Sequence, residues 1–453
     1  MKAEIVVCGA GIAGITAVYH LSKLGIKDIL LVDSRPPLTF TSDKSSESYR
    51  NFWPSQTMAA FMDRSIDLLD ELALESDNYF QMNRRGYVYL TAQAGLMADW
   101  KQAADRHNDP AYALSPAHGW NHRPGGADFI DDPARIRAAF PFLNAGAMGM
   151  LHPRRGGWLS AQQLGMYLLA EAKKRGVRVV EGEITAVSHQ NRIHSVTING
   201  KTIPTRHFVN AAGPFLNKVN GLMGVSLPVF NELHSKLSFD DPLGIIPRDI
   251  PLMIWNDPVT LDWSDEERDE LASDDELRWL TEDMPAGLHF RPEGGEQAQT
   301  VLGIWTYKQP EVQGTGHEVL AIRDSAPRAW HLPPPKFDSE LYPEVVLRGL
   351  CKLVPELGAY KNRLKRPFVD GGYYCKTAEN RPLIGQLPVE GAYVIGALSG
   401  YGIMGAMAAG DLLAAQMTGG SLPSYAADFA PSRYENADYM RRLPAIMAQD
   451  GQL

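Results

Sequence analysis

The run Ile5-Val6-Val7-Cys8-Gly9-Ala10-Gly11-Ile12-Ala13-Gly14 decides the fold of this 453-residue chain. Its first four residues are continuously apolar, the pattern of a parallel strand buried on both faces. Ile15, Val18, Leu21 and Leu24 then recur every three residues, and Gly25 stands at a helix C-cap. Asp28-Ile29-Leu30-Leu31-Val32-Asp33 supplies a second strand. Gly9 permits the tight turn, Gly11 lets backbone N–H groups approach a pyrophosphate, and Gly14 lets helix and strand close together. Asp33 falls 19 residues after Gly14, where a carboxylate accepts hydrogen bonds from ribose hydroxyls. The order of these features predicts a dinucleotide site with Gly9, Ala10, Gly11, Ile12, Ala13 and Gly14 at the phosphates. Asp33, Ser34 and Arg35 then flank the ribose. Arg35 is read as a solvated side chain, because Asp33 would repel the 2′-phosphate it could otherwise hold.

Across the chain, 53 acidic against 44 basic residues give a net charge of −9. With no basic block, nucleic-acid binding and polybasic membrane recruitment are excluded. Cys8, Cys351 and Cys375 are too scattered for a disulfide framework or a CxxC pair, and no metal centre is expected. No signal peptide is read at the N-terminus, and the expected location is cytoplasmic. Gly391 to Gly410 is uncharged over a bilayer-spanning length, but its six glycines suit a buried strand, a turn and a close-packed helix instead. A chain of this length predicts two or three domains, in tandem or interleaved.

A second fingerprint for a nicotinamide cofactor is absent from the sequence, as is a redox cysteine pair, which leaves one FAD reduced directly by an organic substrate. Four stretches carry a resemblance over nearly the whole chain. They are the fingerprint through Asp33; the hydroxyl-rich run Thr41-Ser42-Asp43-Lys44-Ser45-Ser46; Gly176 to Val180 with Ile184 and Val187, ending in His207-Phe208-Val209-Asn210-Ala211-Ala212-Gly213; and Arg381-Pro382-Leu383-Ile384-Gly385 with Tyr393 to Gly396 and Ser399-Gly400-Tyr401-Gly402-Ile403-Met404. Together they resemble the FAD-dependent amino acid oxidase superfamily typified by glycine oxidase, sarcosine oxidase and D-amino acid oxidase. The resemblance implies that Thr41, Ser45 and Ser46 lie against the flavin ribityl and ring, and that Ile184 packs on the adenine end. Ala212 and Gly213 bring backbone close to the cofactor. Gly400, Tyr401, Gly402, Ile403 and Met404 open a helix whose positive end faces the flavin pyrimidine edge.

The resemblance further implies an arginine that pairs with a substrate carboxylate and a carbon next to the amine held over flavin N5. Hydride transfer then yields an imine, which hydrolyses. Arg50, in Ser48-Tyr49-Arg50-Asn51-Phe52-Trp53-Pro54, is the candidate nearest the ring. Tyr374 matches a tyrosine that relatives carry ahead of a Thr-Pro-Asp segment; here the tripeptide is Thr377-Ala378-Glu379. Glycine oxidase-like sequences carry their carboxylate-binding arginine about where Tyr374 stands, so a small α-amino acid is disfavoured. Gly372 falls where sarcosine oxidase-like enzymes attach flavin to cysteine. Non-covalent FAD is therefore expected, with Cys375 packed. His234 and Lys236 alternate on a strand and share a face, as do His289 and Arg291.

The fold class expected is α/β with α+β, a Rossmann-type FAD-binding domain interleaved with a substrate domain on a mixed or antiparallel β-sheet. Residues 1–56, 150–225 and 366–425 are assigned to the former and 57–149 and 226–365 to the latter, with a tail at 426–453 wrapping the surface. Residues 57–75 and 161–175 read as helices and 86–91 as a strand. The acidic stretch 257–283 reads as a solvated insertion, and Pro333-Pro334-Pro335 as a loop. The leading function is removal of a hydride from the carbon next to an amine nitrogen, in an N-substituted or secondary amino acid. The partner is then a small amine or amino acid, with oligomeric state open. The alternatives are a 2-hydroxy acid dehydrogenase, which would need His234 or His289 as base, and a flavin-binding subunit of a hetero-oligomeric dehydrogenase.

Overall fold

A computed structural model describes residues 2–107, 126–295, 297–307 and 337–448. The expected loop at Pro333 to Pro335 lies outside these residues. Ile5–Cys8 pairs in parallel with Ile29–Asp33 on one side and His207–Asn210 on the other, with Ile5 opposite both Ile29 and His207. Arg178–Glu181 extends the sheet beyond Ile29–Asp33. Ala392–Gly396 and the antiparallel edge Leu383–Gln386 extend it beyond His207–Asn210. Six strands thus come from three distant stretches of chain. Val6, Val7, Leu30, Leu31, Phe208 and Val209 are buried on both faces, as a parallel sheet covered by helices requires.

The helices Ile12–Lys23 and Gly402–Thr418 cross closely on one face. Their approach depends on small residues: a Cβ on Gly410 would stand 2.7 Å from the backbone of Thr16. The uncharged 391–410 run therefore forms a strand, a turn and a packed helix. Among the described residues, no helix is long and apolar enough to cross a membrane.

The larger sheet has eight strands in the order Lys365–Thr377, Val229–Asp240, Thr300–Ile304, Leu288–Glu293, Leu252–Trp255, Tyr87–Thr91, Gly149–Pro153, Ala127–Ile130. Its pairs are antiparallel except Leu252–Trp255 with Tyr87–Thr91. Helix Leu341–Leu353 packs Val345, Val346 and Leu350 into the same core as Phe239, Phe290 and Trp305.

The elements differ from the expected division in four places. Helix Gln56–Glu75 packs Phe61, Met62, Ile66 and Leu69 into the core of the six-stranded sheet, because Gly405 leaves room for the Phe61 ring. Strands Gly149–Pro153 and Lys365–Thr377 pair in the larger sheet, although the boundaries at 150 and 366 placed them with the smaller one. The tail is also more than a surface wrap. It forms Ala426–Phe429 and Ala437–Met447, and its Arg433 is buried against the carboxylate of Glu379 at 2.7 Å. In the acidic stretch, helix Asp265–Ser273 buries none of its residues and starts with a Ser264/Glu267 capping box. Asp257, by contrast, is buried and accepts hydrogen bonds from Thr91 Oγ1 and the Ala92 N–H.

Candidate functional site

A cleft of about 400 Å³ opens at the C-terminal ends of the strands Ile5–Cys8, Ile29–Asp33, His207–Asn210 and Ala392–Gly396, the position where open α/β sheets bind ligands. Of the residues expected at the cofactor, Gly9, Gly11, Ile12, Ala13, Asp33, Ser34, Arg35, Thr41, Ser45, Ile184, Ala212, Gly213, Gly400, Gly402 and Ile403 line it, whereas Ser46, Tyr401 and Met404 line a neighbouring space instead. Ala10 and Gly14 stand behind it. The Ala10 N–H donates to Asp33 Oδ2 at 2.7 Å and the Arg35 N–H to Oδ1 at 2.9 Å, which fixes the carboxylate at the strand end. Gly14 packs so tightly that an added Cβ would lie 1.9 Å from the Gly9 carbonyl oxygen.

Whether this cleft suits a dinucleotide is decided by its backbone. A Cβ on Gly11 would sit in the cradle 3.3 Å from Ser42 Oγ. Ser42 Oγ in turn accepts from the Ile12 N–H at 3.0 Å, so the hydroxyl-rich loop is tied to the helix start. The first turn of a helix leaves N–H groups without intrahelical partners, and together with its dipole they favour a phosphate. Leu38, Ala397 and Ser399, non-glycine residues lining the cleft, have φ of 66°, 51° and 48°. Such conformations cost energy and persist where the surroundings impose them, typically around ligand sites. Asp33 at the far strand and the helix Gly402–Thr418 at the near end complete a site that fits FAD.

Arg35, expected to be solvated, is half-buried. Its guanidinium lies over Phe40 at 4.6 Å and Phe215 at 5.1 Å, forming a stacked wall of the cleft. Phe40, Phe215 and Leu38 also line the cleft without a signal in the sequence, since single apolar residues in loops and short turns carry no periodic pattern. Cys375 lines the cleft; burial pushes its thiol up to about 12.

A smaller chamber adjoins the cleft, sharing Tyr374 and Gly400 with it, and is lined further by Ser46, Arg50, Trp53, Tyr87, His234, His289, Thr306, Tyr401 and Met404. Arg50 is buried on the strand Ser48–Arg50, which pairs with Gly156–Trp158. Its guanidinium lies 4.7 Å from the Trp53 ring and 5.5 Å from Tyr87, and its Nε donates to the Phe52 carbonyl at 3.0 Å. His234 stacks on Tyr374 with ring centroids 4.3 Å apart. Its Nε2 lies 3.3 Å from Glu232, which also takes a 2.9 Å hydrogen bond from Lys376. The His234 hydrogen bond, with help from Lys376, holds the Glu232 carboxyl down at about 2. Burial pushes the phenols of Tyr87 and Tyr374 up to about 12, so both are neutral.

Lys236 does not line the chamber. Its ammonium donates to the Ser45 carbonyl at 2.9 Å and braces the hydroxyl-rich loop, and burial lowers its pKa. Of the second pair, His289 lines the chamber, whereas Arg291 is buried beneath Trp158, donating to the Ser46 carbonyl at 2.8 Å and paired with Glu293 at 2.7 Å. Glu379, the last residue of the Thr377-Ala378-Glu379 tripeptide, is a structural anchor. It accepts hydrogen bonds from Arg433, Tyr434 and Tyr439.

The family described as FAD dependent oxidoreductase matches residues 4–416. Human mitochondrial dimethylglycine dehydrogenase is 22% identical over 302 residues, covering 63% of this chain and 33% of that protein. The chain thus spans about a third of the length of that curated relative. Among solved structures, L-proline dehydrogenase from P. horikoshii has a TM-score of 0.70 at 20% identity, covering 96% of this chain and 98% of that one. Glycine oxidase from Geobacillus kaustophilus has a TM-score of 0.67 at 14% identity, covering 95% and 99%. At these identities the structural likeness shows the fold.

Proposed function

Since this chain belongs to the FAD-dependent oxidoreductase family, we propose that it oxidises an N-substituted or secondary amino acid at the carbon next to its nitrogen. The observation that carries this reading is the chamber beside the cleft, with the guanidinium of Arg50 buried among Trp53, Tyr87 and His289. FAD bound in the cleft supplies the hydride acceptor. The chain's residues bind, orient and desolvate the substrate. Arg50 offers a planar fork to a carboxylate from a buried position, where such a pair is short and directional. Trp53 holds that fork from one side, so little rotamer freedom remains to be lost on binding. Tyr374 and Gly400, which border both spaces, set where the substrate carbon meets the cofactor. The smaller sheet thereby carries the cofactor and the larger one the substrate.

The same reading keeps FAD non-covalent, supported by a protonated Cys375 and by Gly372 at the position where sarcosine oxidase-like enzymes attach flavin to cysteine. Three buried, unpaired cysteines fit a reducing cytoplasm. The test is anaerobic mixing of the FAD-loaded protein with amino acids and 2-hydroxy acids. Bleaching by N-substituted amino acids, lost in Arg50→Met with FAD retained, is the expected outcome. Bleaching by hydroxy acids alone would transfer the site to alcohol chemistry.

A further inference from the structure

Resting on the amine reading above, we infer that His289 selects substrates that keep an N–H on the reacting nitrogen, by accepting that N–H at its Nε2. The tautomer is fixed by geometry. His289 Nδ1 lies 2.8 Å from the Gly287 carbonyl oxygen, which can only accept, so Nδ1 carries the proton and Nε2 is a bare lone pair. Nε2 has no hydrogen-bond partner among the described residues, and the ring lines the chamber. His234, the other imidazole there, already has Thr306 at 3.2 Å on Nδ1 and Glu232 at 3.3 Å on Nε2.

The charges around His289 exclude the alternatives. Arg50 faces it from Ser48–Arg50, His234 from Val229–Asp240, Tyr374 from Lys365–Thr377, Tyr87 from Tyr87–Thr91 and Tyr401 from the loop before the last cleft helix. Arg291 lies on its own strand. Among the described lining residues there is no Asp or Glu. An ammonium group entering beside Arg50 would lack a counter-ion, so the substrate nitrogen is bound as the free amine. Oxidation needs the amine lone pair free, which forbids a donor at that position and leaves an acceptor for the N–H. Burial, reinforced by Arg50, Arg291 and His234 against the Gly287 hydrogen bond, pushes His289 down to about 4, so it stays an acceptor at neutral pH. A tertiary amine has no N–H to give and would leave Nε2 desolvated and unsatisfied. Sites built around a hydrogen bond reject analogues that lack it.

The experiment compares matched pairs on the FAD-loaded protein without oxygen: N-methylglycine with N,N-dimethylglycine, and proline with N-methylproline. Two quantities are read, the dissociation constant from the flavin band shift at mixing and the rate of bleaching. The wild type should favour the N–H member about tenfold or more in both. His289→Leu should bring the ratio close to one, and His289→Gln, whose amide oxygen can accept, should restore most of it. A wild-type ratio near one, or a His289→Leu ratio equal to wild type, overturns the inference while the amine reading stands. If no amine bleaches the flavin, the amine reading itself fails and takes the inference with it.

Discussion

Gly11 and Gly14 stand three residues apart and should fail differently when a methyl group is added. At Gly14 the new Cβ would meet the Gly9 carbonyl oxygen at 1.9 Å, so backbone must move and the fold loses roughly 1–3 kcal/mol or more. At Gly11, with φ of −72°, the new Cβ meets only Ser42 Oγ at 3.3 Å. Gly11→Ala should therefore melt near the wild-type apoprotein yet bind FAD far more weakly, as a fluorescence titration would show. The same scale governs acid sensitivity. Burial pushes both His20 and His289 down to about 4 from an ordinary 6.5. Between those values the unfolded chain binds more protons than the folded one, so stability rises with pH across that window and is lost as pH falls through it. Denaturant midpoints at pH 4.5 and 7 should converge in His20→Phe relative to wild type. Equal pH dependence in the two proteins would remove His20 from the account.

At the scale of elements, what could be read in advance was what repeats or punctuates. The strand Ile5–Cys8, the helix Ile12–Lys23 and the strand Ile29–Asp33 carry their periodicity and caps locally. The helix Ala161–Lys174 does too, down to Ser160 accepting from the Gln163 N–H. The tail helix Ala437–Met447 was missed because Pro444 interrupts it and only Tyr439 and Ile446 are buried. Its Tyr439 hydroxyl donates at 3.1 Å to Glu379, which is paired with Arg433 ahead of the helix, a long-range arrangement that no local pattern announces. Arg433→Ala leaves Glu379 buried without its counter-charge and should cost about 3–5 kcal/mol, read as a fall in melting temperature. Arg441→Ala, which breaks an exposed pair with Asp438 in the same helix, should change stability by less than about 0.5 kcal/mol.

For the whole molecule, the cofactor half was legible because a dinucleotide imposes glycines, an acid and a helix start in fixed order. The chamber was legible only in part. Arg50, Tyr374 and His234, all marked by their sequence context, come together, but Lys236 serves the loop at Ser45 and Arg35 serves the cleft wall. Which side chains face a common space across an eight-stranded sheet is set by pairings such as His234 with Gly372, which join residues far apart in sequence. Since the cleft draws on three stretches of chain, FAD should stabilise the molecule as a unit. Ligand at a hundred times its dissociation constant adds about 2.7 kcal/mol, visible as a single cooperative melt moving upward.

On the proposed function, the Arg50 chamber presents an amino acid to FAD. The most direct measurement is an anaerobic titration of the FAD-loaded protein with secondary amino acids, in wild type and Arg50→Met. Complete bleaching at one substrate per flavin is expected in the wild type, and no bleaching at matched concentrations in the variant with its flavin still bound. A wild-type flavin that stays oxidised, or a variant that bleaches equally well, would contradict this reading.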